Sequence, residues 1–188
     1  MIFKSTKIAG AYVVEPEVFT DERGFFARFW CEREFREHGL NSRIAQCSIS
    51  FNTKKGTLRG MHYQIPPHAE LKTVRCTRGI MYDVIVDLRR GSPTFLQWIG
   101  VELNAENRSM LYVPEGCAHG FQTLEDNTEV LYQISEFHSP DHARGARWND
   151  PAFGIRWPLP PQNVSARDRG WKDFLPAHDG FTIEQERK

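Results

Sequence analysis

From Thr73 to Ser135 the chain alternates short apolar-rich runs with turn residues. The runs are Thr73–Thr77, Ile80–Leu88, Trp98–Leu103, Ser109–Val113 and Glu129–Ser135. Breaks fall at Gly79, Gly91-Ser92-Pro93, Asn104–Asn107, Pro114-Glu115-Gly116 and Glu125-Asp126-Asn127. Strands this short and evenly punctuated predict a sandwich or barrel rather than βαβ units. In Ile80–Leu88, Tyr82, Val84, Val86 and Leu88 share one face and Asp83, Ile85 and Asp87 the other, because strand side chains alternate. A second face that mixes carboxylates with isoleucine fits a barrel wall whose polar groups reach a cavity. Helix is expected only at Glu32–His38, stopped by Gly39, and around Arg167–Phe174. After Pro140 the chain turns rich in proline, tryptophan and charge, which reads as an ordered wrap over the barrel.

With 188 residues and no internal repeat or linker, the expectation is one domain over residues 1–188. It would comprise N-terminal strands over about 1–50, a barrel over about 51–140 and a wrap over 141–188. Lysine plus arginine equal aspartate plus glutamate at 24 each, so no global field favours nucleic acid or acidic membranes. No apolar run approaches the roughly 18–20 residues of a membrane span. The opening lacks a long apolar segment with a small-residue cleavage site, which points away from secretion. The four cysteines, Cys31, Cys47, Cys76 and Cys117, show no C-x-x-C spacing. Unpaired thiols in a reduced, cytoplasmic setting are the simplest reading.

The segment Gly56–Gly79, GTLRGMHYQIPPHAELKTVRCTRG, resembles the first motif of a cupin barrel with most metal ligands replaced. Five residues separate Gly56 from His62, but Gln64 stands at the second histidine position and Lys72 at the glutamate position. A protonated amine repels a divalent cation instead of ligating it. VPEGCAHGF at Val113–Phe121 resembles the second cupin motif and keeps His119. Two histidines make a weak site where three or four donors are normal, so no metal is expected. The fold class is therefore all-β, a cupin-type jelly-roll barrel or sandwich with short peripheral helices.

Further motifs are similar to those of the nucleotide-sugar 3,5-epimerases, whose type member is dTDP-4-dehydrorhamnose 3,5-epimerase. They are RGFF at Arg23–Phe26, GTLRGMHYQIPP at Gly56–Pro67, DVIVDLRRGSPTF at Asp83–Phe95, VPEGCAHGF, WNDPAFGIRWP at Trp148–Pro158 and SARD at Ser165–Asp168. The resemblance implies that His62 is the catalytic base and Asp168 the carboxylate that orients it. It likewise implies Lys72 beside the ketone oxygen and Tyr132 as the acid on the opposite face. Arg23, Phe26, Gln46, Arg59, His119 and Arg167 match positions along the sugar nucleotide. A nucleotide-diphosphate sugar substrate, no cofactor and a homodimer whose N-terminal strands cross to the partner are also implied.

The chemistry accounts for these residue types. A 4-keto sugar has weakly acidic C–H bonds at C3 and C5, and removing one proton gives an enolate that needs charge or hydrogen bonds in a dry pocket. A histidine with a carboxylate partner suits the base, and a tyrosine, protonated at neutral pH, suits the donor on the other face. Taken singly, each residue has a plainer reading. His62 could be a hydrogen-bonded core histidine, Lys72 an edge-strand lysine and Tyr132 a core aromatic. Asp168 could be a helix cap, and the arginines solvated charges. Arg59 and His62 would also lie on opposite faces under strict alternation, unless Gly60 marks a bulge.

Four substrate-contact positions depart from the family pattern: Arg28 where a glutamate is usual, Ser48 for asparagine, His138 for tyrosine and Ala143 for glutamate. These make the ligand site more positive and point to retained chemistry on an altered sugar or nucleotide. Three rivals stand beside the double epimerase. They are a single-centre epimerase or 3,4-ketoisomerase, a non-catalytic nucleotide-sugar-binding cupin, and a metal-dependent cupin oxygenase.

Overall fold

The structure, a computed structural model, describes residues 1–180; the end of the expected wrap, residues 181–188, lies outside the described residues. The chain opens with β1 (Ile2–Ser5), β2 (Tyr12–Glu15), β3 (Val18–Asp21), β4 (Gly24–Ala27), α1 (Glu32–Glu37) and β5 (Gln46–Asn52). There follow β6 (Leu58–Gln64), β7 (Lys72–Arg78), β8 (Ile80–Asp87), β9 (Trp98–Asn104), β10 (Met110–Val113), β11 (Cys117–Thr123) and β12 (Thr128–Ile134). The last elements are β13 (Ala143–Gly145) and α2 (Ala166–Arg169). Each of the five expected runs is a strand, within a residue or so of its expected ends.

The strands form a six-stranded sheet in the order β1-β2-β10-β7-β12-β5 and a five-stranded sheet in the order β13-β6-β11-β8-β9, while β3 and β4 form a separate hairpin. All pairings between these strands are antiparallel. Apolar residues of both sheets meet between them: Val74, Cys76, Leu111 and Val130 from one, Met81, Ile85, Leu103 and Phe121 from the other. Burying each such side chain contributes about 1.5–3 kcal/mol. The alternation read in β8 has its counterpart here. Ile85 joins this inner core, whereas Val84, Val86 and Leu88 lie on the outer face with Ala146, Phe153 and Phe174 of the wrap.

Helix α1 carries Glu32 and Glu34 in its first turn and Arg36 in its last, as the helix dipole favours. Gly39, at φ +69°, follows its end. Its one buried side chain, Phe35, packs on Phe3 and Tyr112 with ring centroids 5.3 and 5.9 Å apart. The helix expected around Arg167–Phe174 is shorter, ending at Arg169. Beyond Gly170 the backbone leaves the helix, so that Phe174 packs against Phe153 at 5.2 Å and its N–H donates to Asp150 Oδ2 at 2.7 Å.

One irregularity positions the site. In the β6–β11 pair, His62 lies opposite His119 and Arg59 opposite Phe121, so Gly60 and Met61 together face Gly120 alone. This is a β-bulge, and it returns Arg59 and His62 to the same side of the sheet. Gly60 adopts φ +144°, and a Cβ on it would lie 2.6 Å from Gly120 Cα. A Cβ on Gly120 would lie 2.7 Å from the Arg59 carbonyl oxygen and 2.7 Å from Met61 Sδ. Gly120→Ala is accordingly expected to destabilise the protein by about 1–3 kcal/mol, read as a lower urea midpoint; an unchanged midpoint would show that the strands can part at no cost.

Candidate active site

His62 projects from β6 towards the facing sheet, while its neighbours Met61 and Tyr63 pack with the wrap-side cluster. Its Nε2 lies 2.6 Å from Asp168 Oδ1. Asp168 is buried in α2, where its own N–H donates to the Ser165 hydroxyl at 3.0 Å, and the Gly60 N–H reaches Asp168 Oδ2 at 3.5 Å. Burial by itself would raise the Asp168 carboxyl. The hydrogen bond and charge of His62, with Ser165 and the Gly60 N–H, outweigh it and hold the group below the usual carboxylate range. An ionised carboxylate only accepts, so it fixes the proton of neutral His62 on Nε2 and leaves Nδ1 with the lone pair. His62 keeps 39% of its side-chain surface exposed, against 4% for Asp168. A base open on one side and clamped on the other is the result.

Tyr132 comes from the opposite wall, on β12 of the six-stranded sheet. Its ring meets that of His119, from β11, edge-on at 6.0 Å. His119 Nε2 in turn lies 2.6 Å from Asp83 Oδ1, and both groups are buried. Burial, reinforced by the Asp83 carboxylate, pushes the Tyr132 phenol far above its usual value, and the Arg59 guanidinium only partly offsets this. Lys72, at the start of β7, places Nζ 2.8 Å from Glu70 Oε1 and 3.4 Å from the His62 carbonyl oxygen.

These groups line one cavity of about 260 Å³, bounded by His62, Lys72, His119 and Tyr132 together with Gln46, Ser48, His138 and Arg167. Asp168 stands directly behind His62. Arg59 lines an adjoining hollow of about 430 Å³ with Ser165, and its Nε donates to Asn52 Oδ1 at 2.7 Å. Besides Arg59, three more sequence candidates are not brought to this cavity within one chain. Arg23 is 84% exposed and pairs with Asp21, Phe26 is 72% exposed on the β3–β4 hairpin, and Arg28 pairs with Glu34 at 3.2 Å. Among the described residues no group of three or more histidine, cysteine, aspartate or glutamate side chains is placed to hold a metal ion.

Sequence reasoning passed over Asp83, Glu70 and Arg144. The inward polar face of β8 was the available signal for Asp83. Glu70 lies two residues before Lys72, a spacing that puts both on one side of an extended chain. Arg144 joins the cavity because β13 pairs with β6, opposite Tyr63, and nothing local announces that pairing.

An imidazole with a free lone pair, a neutral phenol on the opposing wall and an ammonium in the same cavity can together remove a proton from carbon, hold the resulting oxyanion and return a proton to the other face. Known proteins resemble this chain in sequence and fold. The profile of the dTDP-4-dehydrorhamnose 3,5-epimerase family matches residues 5–175. A dTDP-4-dehydrorhamnose 3,5-epimerase of Pseudomonas aeruginosa is 45% identical over 178 residues, covering 93% of this chain and 97% of that protein. The crystal structure of a dTDP-4-dehydrorhamnose 3,5-epimerase from Elizabethkingia anophelis superposes with a TM-score of 0.90 at 38% identity, covering 93% of this chain and 96% of the other. A 3,5-epimerase from Legionella pneumophila, solved with dTDP-4-keto-L-rhamnose, superposes with a TM-score of 0.85 at 35% identity over 92% of both chains. With a profile match over residues 5–175 and this level of identity, the chain belongs to the dTDP-4-dehydrorhamnose 3,5-epimerase family.

Proposed function

We propose that this protein is an isomerase that inverts C3 and C5 of a dTDP-linked 4-keto-6-deoxyhexose by proton transfer through an enolate, without a cofactor, as a step in deoxysugar and surface-polysaccharide synthesis. The observation that carries the reading is the shared cavity, which His62 and Tyr132 enter from opposing sheets with the Lys72 ammonium beside them. His62 Nδ1 takes the proton from the carbon next to the ketone, and the electron pair moves onto the ketone oxygen. Lys72 stabilises that oxygen, Asp168 the imidazolium, and Tyr132 delivers a proton from the other side. Solvent then takes the extra proton from His62 and returns one to Tyr132.

A cavity of about 260 Å³ lies below the roughly 300–1,000 Å³ of drug-sized sites. It suits one sugar ring with the nucleotide running outside, where Arg59 and Arg167 meet the diphosphate. Gln46, Ser48, His119 and His138 complete the contacts, with Arg28, Ser48, His138 and Ala143 tuning which sugar nucleotide is accepted. We place Arg23, Phe26 and Arg28 at the cavity of a second copy in a homodimer. The hairpin leaves Val18, Phe19, Phe25 and Phe26 exposed, and β5 leaves Ile49 and Phe51 exposed, an apolar surface larger than scattered single residues would make. Among the described residues no helix is long and apolar enough to cross a membrane. The four free cysteines suit the reducing cytoplasm, where we place the enzyme.

Incubation with dTDP-4-keto-6-deoxyglucose in heavy water, followed by proton NMR, is expected to show deuterium at both C3 and C5. Exchange at one carbon would leave a single-centre epimerase, and binding without exchange would leave a non-catalytic cupin. His62→Ala is expected to slow turnover by at least about 10²–10⁴-fold, with dTDP affinity nearly kept. Tyr132→Phe should admit deuterium while losing inversion, since the base survives and the opposing donor does not. Equal loss of both would refute the division of roles.

The donor must hold its proton at working pH. The fold keeps the Tyr132 proton more tightly than the unfolded chain does, so its contribution to stability is full below about pH 10 and fades as pH rises further. In an absorbance titration at about 295 nm, the difference between wild type and Tyr132→Phe should show no phenolate midpoint at the ordinary tyrosine value of about pH 10; a midpoint there would contradict the buried acid. Sedimentation is expected to give a dimer that Phe19→Ser with Phe26→Ser converts to an inactive, folded monomer. A wild-type monomer with full activity would exclude a shared site.

A further inference from the structure

We propose that Glu70 is a positioning residue that aims the Lys72 ammonium at the oxygen carrying the enolate charge. The inference rests on the reaction proposed above. Lys72 hangs on a flexible four-carbon stem, and at 10% side-chain exposure water cannot fix its direction. An ammonium has three N–H donors. Among the described residues two have acceptors: Glu70 Oε1 at 2.8 Å and the His62 carbonyl oxygen at 3.4 Å. The third is left for the cavity, where the sugar oxygen would lie. The two occupied directions determine the third, because the donors of an ammonium are tetrahedral.

Glu70 can serve as a fixed reference because its own backbone is pinned. The Leu71 N–H donates to the Ser135 hydroxyl at 3.0 Å, and the Ser135 N–H to the Leu71 carbonyl at 3.1 Å. Lys72 pairs with Ile134 on one side and Val113 on the other. Upstream, Gln64 Nε2 donates to the His68 carbonyl at 2.9 Å and so ties the preceding loop to β6. Glu70 is itself 10% exposed and lines the same cavity, so the pair is not a surface brace. A carboxylate beside the ammonium weakens the positive field that an enolate would feel. The gain must therefore lie in direction rather than in amount of charge, and for a reacting geometry direction dominates.

A double-mutant cycle separates these effects. Glu70→Ala should lower turnover about 10–100-fold, leave dTDP affinity within about twofold, and be partly rescued by Glu70→Gln, which keeps an acceptor. On a Lys72→Ala background Glu70→Ala should cost nothing more, because it acts only through Lys72. Unchanged or faster turnover in Glu70→Ala, or the same loss in both backgrounds, would overturn the assignment. Crystal structures of wild type and Glu70→Ala supply an arm independent of activity. A Lys72 side chain that moves in the variant supports the assignment, and one that keeps its place refutes it. If wild type exchanges no deuterium, the proposed reaction fails and the crystallographic arm alone decides the role of Glu70.

Discussion

The 2.6 Å hydrogen bond between His62 and Asp168 joins residues 106 positions apart, and most of the architecture serves to make it. Asp168 belongs to the C-terminal wrap, and His62 to a strand of the barrel. The wrap is held on the outer face of the five-stranded sheet by Phe153 and Phe174 packed on Val84, Val86 and Leu88. It is also sewn to β6 through paired hydrogen bonds between Met61 and Ala146 at 3.0 and 2.9 Å. The bulge at Gly60 turns the imidazole inward and brings a backbone N–H towards the same carboxylate. A hydrogen bond to a charged group contributes about 1.5–3 kcal/mol. Here it also sets the imidazole tautomer and leaves Nδ1 able to accept a proton.

Burial makes each ionisable group in the cavity costly unless it is paired. His62 has Asp168, His119 has Asp83 and Lys72 has Glu70. Tyr132 alone among these four groups has no ionised partner within hydrogen-bonding reach among the described residues, and burial holds it neutral. The same burial that holds its proton would strengthen the attraction between an ammonium and any negative charge in the cavity. Pairing and isolation thus divide the roles.

The strands from Lys72 to Ile134 were legible in the sequence because alternation and turn residues are local signals. So was α1, with its charges ordered along the dipole and glycine at its end. The inward polar face of β8 foretold carboxylates near a cavity, although not that Asp83 would bind His119. Gly60 marked the bulge, since a glycine inside a strand pattern has few other uses. His62 and Lys72 stood out because an imidazole and an amine occupied places in a recognisable layout of spacings.

What the sequence by itself determined was a set of short amphipathic strands, with chemically distinctive side chains at known places along them. Only the tertiary structure decided which strands became neighbours, that Asp168 would sit behind His62, that Glu70 would hold Lys72 and that Arg144 would join the wall through β13. The physical reason is that strand pairing and wrap docking are long-range events, set by how two apolar sheet faces close together. Local composition records which face each residue prefers, and not which distant segment will meet it there.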